Sequence, residues 1–163
     1  MRLDGYVMAG FLALFVLSPA GSWAEHDREN IDKMMSSRQK EIALAFSDFN
    51  KTKSVSKLAE IEKLNEDAGS SLIQWWDAGH LPCCIDKDSG VKKDLEEDWN
   101  KFTSYLKQIC ANYTRIARYY ASKNMKHKAR TIYQYIMEAF DSPELDQCTG
   151  EARTRLESYG RIK

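Results

Sequence analysis

The stretch Val91–Tyr120, VKKDLEEDWNKFTSYLKQICANYTRIARYY, decides the fold. Its large apolar residues are Leu95, Trp99, Phe102, Leu106, Ile109, Tyr113, Ile116 and Tyr120, separated by alternating steps of four and three. That spacing is the a/d seam of a helix that packs on other helices along its whole length. Neither Pro nor Gly occurs from Val91 to Met125. At 1.5 Å per residue such a helix would be about 45–50 Å long, so in a chain of 163 residues other elements must stack against it. Glu96, Glu97 and Asp98 stand at its front, where acidic side chains complement the helix dipole.

Upstream of this spine, Gly79–Gly90 is the one long irregular segment, GHLPCCIDKDSG. A helix is predicted before it, capped by Ser54 or Ser56 and carrying Val55, Leu58, Ile61, Leu64, Ala68, Leu72 and Trp75. Gly69 weakens its middle and implies a kink or a close helix approach. Trp75 and Trp76 are about 100° apart on a helix, so they cannot share one stripe; one belongs at an edge. The first helix is predicted from Asp27 to Phe49, with Ile31, Met35, Arg38, Ile42, Ala45 and Phe49 as its seam and Arg38 snorkelling at an edge. Asn50–Lys53 reads as a polar connector.

Downstream, Asn124 ends the spine as a residue that tolerates the left-handed conformation. A fourth helix is predicted from Met125 to Phe140. Asp141-Ser142-Pro143 restarts the chain, with Ser142 as cap and Pro143 at the first helical position. The fifth helix carries Leu145, Cys148, Ala152, Leu156 and Tyr159 and closes at Gly160. No segment sustains strand alternation. The expected fold is all-α, a five-helix bundle with a long central third helix.

Residues 1–24 read as a secretory signal peptide. Arg2 is followed by an apolar run from Tyr6 to Leu17, and Ser22-Trp23-Ala24 offers a cleavage site after Ala24. The run is shorter than the roughly 20 residues of a membrane span, so no membrane insertion is expected after cleavage. Residues 25–163 then form one domain of an exported chain, in the periplasm or extracellular space. The 24 basic and 24 acidic residues balance, which argues against nucleic acid as a partner.

Residues 110–143 resemble a single tetratricopeptide-repeat hairpin. Counting from Cys110, Tyr113 and Ile116 fall where that family has its first aromatic and its leucine. Ala117 takes the small position, Tyr120 the tyrosine after it, and Ala129 and Tyr133 the small and aromatic positions of the second helix. Asn124 replaces the turn glycine, Ile136 stands where the family prefers alanine, and Pro143 comes late. The resemblance implies a protein-interaction scaffold that binds extended peptides on a concave face.

An exported chain with four cysteines is expected to oxidise them. A fourth helix descending for about 23 Å would start the fifth near the level of residue 107, bringing Cys148 beside Cys110. That selects a Cys110–Cys148 disulfide. Cys83 and Cys84 are then left as a vicinal bridge or a free pair, while a crossed pairing of both with Cys110 and Cys148 is the alternative. His80, Cys83 and Cys84, with Asp86 and Asp88 behind them, also make a weak copper or zinc candidate. The spacing is unusual for zinc, and oxidised cysteines do not ligate. No resident cofactor is expected.

His26 and His127 have no carboxylate or nucleophile partner in the sequence, and no phosphate loop, HExxH or Gly-x-Ser-x-Gly occurs, so no catalytic residue is assigned. Tyr105, Tyr119 and Tyr135 lie off the main seams and, with Trp75 and Trp76, are the candidates for an aromatic contact surface. Asn50-Lys51-Thr52 and Asn112-Tyr113-Thr114 fit the N-glycosylation pattern. The leading expectation is a non-enzymatic, exported protein-interaction module, an adaptor or a subunit of an envelope assembly. A small inhibitor or immunity-type protein that binds a partner enzyme is the second, and a metal- or thiol-active protein using the His80/Cys83/Cys84 loop the third.

Overall fold

The computed structural model describes residues 31–79 and 89–160. The signal segment, His26 and the cluster His80, Cys83, Cys84, Asp86 and Asp88 lie outside the described residues. Among those described, the chain is an all-α bundle without strands. Its elements are α1 (Ile31–Thr52), α2 (Val55–Gly79), α3 (Ser89–Ser122), α4 (Lys126–Ala139) and α5 (Asp146–Gly160), the last preceded by a 3-10 turn over Pro143–Leu145. The spine is α3, with 34 residues, or about 50 Å.

Side-chain pairings fix the direction of every helix. Going up α3, Tyr105 meets Asp32, Asn112 meets Gln39 and Tyr119 meets Asn50, so α1 runs parallel to it. Against the same rise, Phe102 meets Trp76, Asn112 meets Asn65 and Tyr120 meets Glu62, so α2 is antiparallel. Lys128 at Tyr120 and Tyr135 at Tyr113 make α4 antiparallel too. Cys148 at Cys110 and Glu151 at Arg118 turn α5 upward again.

The two halves of α3 are covered differently. The upper half of α3 is enclosed from both sides: Ile109, Cys110, Tyr113, Ile116, Ala117 and Tyr120 are all buried. Among the described residues the lower half has fewer neighbours, α1 from Ile31 on lying beside α3 from Lys101 upward. Leu95, Phe102 and Leu106 are half-buried, and Trp99, placed in the seam by its spacing, is 40% exposed. A seam position is buried only where a second helix reaches it.

The connectors follow from local chemistry. Helix α1 runs three residues past Phe49, absorbing most of the expected polar connector, and stops at Lys53, which adopts φ 53°. Asn124 has φ 60°, the left-handed conformation expected of it. Helix α2 runs unbroken through Gly69. A Cβ there would lie 3.9 Å from the Ile109 side chain, so α2 and α3 approach closely at this point. Pro143 opens a 3-10 turn rather than the α-helix predicted, and Ser142 makes no side-chain cap bond. Glu96–Asp98 lie two turns inside α3, beyond the reach of its dipole; Glu97 instead pairs with Lys101 at 3.4 Å.

Candidate functional site

Three groups of residues could carry a function, and each begins with the helix that presents it. The first is aromatic. Trp75, on the α2 stripe, is 5% exposed and belongs to the core. Trp76, about 100° round the helix, leaves the core and packs toward α3. Its ring centroid lies 4.7 Å from Phe102 and 5.3 Å from Trp99, and Trp99 stacks on Phe102 at 5.9 Å. Trp99 is the most exposed of these rings. The reading from sequence placed it inside the seam; it is exposed, and among the described residues α1 first meets α3 further on, at Lys101 and Tyr105.

The second group is the set of off-seam tyrosines. All three are half-buried and already engaged within the bundle. Tyr105 donates to Asp32 Oδ1 at 2.6 Å, tying α3 to the base of α1. Burial, and then the Asp32 carboxylate, push its hydroxyl up to about 12. Tyr119 donates to Asn50 Oδ1 at 3.1 Å, with its ring 4.6 Å from Phe49. Tyr135 packs its ring edge-on against Tyr113 at 5.1 Å. These residues join helices and, like Trp76, stay half-buried, whereas Trp99 is exposed.

The third group is polar and internal. Asn65 is fully buried on α2. Its amide donates to the Ile109 carbonyl at 3.0 Å and its oxygen accepts from Asn112 Nδ2 at 3.0 Å. Asn112 also donates to Gln39 Oε1 at 3.2 Å, so one chain of amides crosses α2, α3 and α1. The sequence held the signal: Leu58, Ile61, Asn65, Ala68, Leu72 and Trp75 repeat in steps of three and four, with a polar residue in one seam position. Nearer the top, Lys128 donates to the Tyr120 hydroxyl at 3.0 Å, which donates to Glu62 at 3.2 Å.

The remaining candidates resolve simply. Arg38 sits at an edge beside Glu41 at 3.4 Å. His127 is exposed. Cys110 and Cys148 form a disulfide with Cα atoms 6.2 Å apart, the pairing selected by the helix lengths. The sequon at Asn112 is occupied by the amide chain and its Thr114 is buried, whereas Asn50 is exposed near the end of α1. An open trough of about 400 Å³ lies between α1 and α3, lined by Ser36, Gln39, Lys40, Ala43, Tyr105 and Gln108. It gathers the hydroxyls of Ser36 and Tyr105, the amides of Gln39 and Gln108 and the amine of Lys40. No group of metal-binding side chains occurs among the described residues, and no helix among them is long and apolar enough to cross a membrane.

Compared with known proteins, the chain matches no family model, no curated protein and no solved structure.

Proposed function

We propose that this chain is an exported, non-enzymatic protein-interaction module whose contact surface is the aromatic patch of Trp76, Trp99 and Phe102. One observation carries the reading: Trp99 is 40% exposed while backed by two further aromatic rings. Tryptophan presented on a rigid support is the residue type richest in binding energy at protein interfaces. The helices beneath it, α2 and α3, are joined by the hydrogen bonds of Asn65 to the Ile109 carbonyl and to Asn112, so the patch is preorganised and little ordering cost falls on binding.

The α3–α4 hairpin, read as a repeat-like unit, supports the same role. Tyr113, Ala117, Tyr120, Ala129 and Tyr133 are all buried, and Tyr113 with Tyr135 and Tyr120 with Lys128 join the two helices. Export accords with the oxidised Cys110–Cys148 pair and with the signal-like residues 1–24.

The test is a comparison of proteins retained from the native compartment by the wild-type chain and by Trp99→Ser, at matched folding. The module reading predicts a defined partner retained by the wild type and lost by the variant. Identical retention by both would remove the patch from the account.

A further inference from the structure

Helix α5 is held differently from the rest of the bundle. Six of the 22 residues of α1 are buried and four of the 14 of α4, but only Thr149 and Ala152 among the 15 of α5. Its composition also works against it: Thr149, Gly150 and Thr154 are poor helix formers. Apart from the disulfide, its hold on α3 includes a partly exposed ion pair of Glu151 with Arg118, a type of contact worth at most about 1 kcal/mol. Its hold on α4 includes the tilted contact of Tyr159 with Tyr133, with ring centroids 6.3 Å apart.

We propose that the Cys110–Cys148 disulfide is a redox latch: a dithiol reductant releases α5 as a unit and bares the α3/α4 face that carries Cys110, Thr114 and Tyr133, while α1–α4 stay folded. The two sulfurs are unequal in a way that suits this. Cys110 is fully buried, whereas Cys148 is half-exposed with its Sγ 3.4 Å from Thr114 Oγ1. A donor thiolate therefore bonds to Cys148 Sγ, and the sulfur–sulfur bond breaks with Cys110 leaving as a thiolate that takes up a proton. The donor's second thiolate then attacks the mixed disulfide, closes the donor's own disulfide and frees Cys148. The protein gains two electrons and two protons, and the dithiol loses the same. Expelling a thiolate into the core is unfavourable, so the sulfur exchange and the lifting of α5 proceed together. The latch is independent of the aromatic surface.

Hydrogen exchange on the mature full-length chain tests it, comparing the oxidised protein, the protein in dithiothreitol, and Cys148→Ser, which breaks this bond without touching Cys83 or Cys84. The latch predicts that amides of 146–160 exchange about 30-fold to 1000-fold faster after reduction, the usual worth of a disulfide, with α1–α4 unchanged. A Cβ at Gly150 meets nothing within 4 Å, so Gly150→Ala should slow α5 exchange in the reduced protein by about twofold to fivefold. Unchanged α5 exchange in dithiothreitol overturns the proposal. So does equal acceleration in every helix, which would make the bond a staple of the whole domain.

Discussion

Asn65 and Asn112 are joined by a 3.0 Å hydrogen bond between amides of adjacent helices. Asn65 is wholly buried and also bonds the Ile109 carbonyl. A polar residue in an otherwise apolar seam favours the one register in which it finds its partner, as single buried asparagines do in coiled coils. Sliding α2 by one turn would carry this amide away from both the Ile109 carbonyl and Asn112 and leave it buried without them.

Replacing Asn65 by Ala leaves a void and deprives Asn112 of one acceptor. The expected cost is about 2–3 kcal/mol, read as a lower urea midpoint at constant slope. Asn65→Leu restores volume and should cost less. A change below about 0.5 kcal/mol for Asn65→Ala would mean that the amide chain does not hold the register.

Two tryptophans make opposite predictions. Trp75, 5% exposed, should cost about 3–5 kcal/mol when changed to Ala. Trp99, 40% exposed, should cost about 1 kcal/mol or less, despite its place in the a/d pattern. Thermal or urea unfolding of the two variants decides between them. Equal losses would put Trp99 back in the core.

Stability should fall on the alkaline side. Burial raises Tyr105 to about 12 and pushes Tyr113, Tyr120, Tyr133 and Tyr135 upward as well. A tyrosine raised above its unfolded value near 10 stabilises the fold fully below that pH, because the folded state keeps the proton. The contribution is lost as pH climbs from about 10 through about 12. Tyrosinate absorbance followed alongside helical circular dichroism should show ionisation coinciding with unfolding. Titration of all the tyrosines near pH 10 with helicity intact would contradict this.

Much of the bundle was legible in the alternation of threes and fours, and the level of Cys148 against Cys110 followed from helix lengths alone. The height of α1 was not. It depends on which residues of α1 and α3 stand side by side, such as Asp32 with Tyr105, and no local propensity encodes that. The exposure of Trp99, a seam position by its spacing, could not be read from that spacing either. The amide chain was missed for a different reason: a pattern restricted to apolar residues takes Leu64 for the stripe, although Asn65 keeps the spacing. Tyr105, Tyr119 and Tyr135 were recognised as off-seam, yet only the partners Asp32, Asn50 and Tyr113 show that they join helices.

The central claim is that this chain works by contact through the face that presents Trp99. A photoreactive amino acid placed at position 99, and in a second chain at the exposed Arg153 of α5, tests it in the native compartment. The account predicts one discrete cross-linked partner from position 99 and none from position 153. No adduct at 99, or the same adducts from both positions, would contradict it.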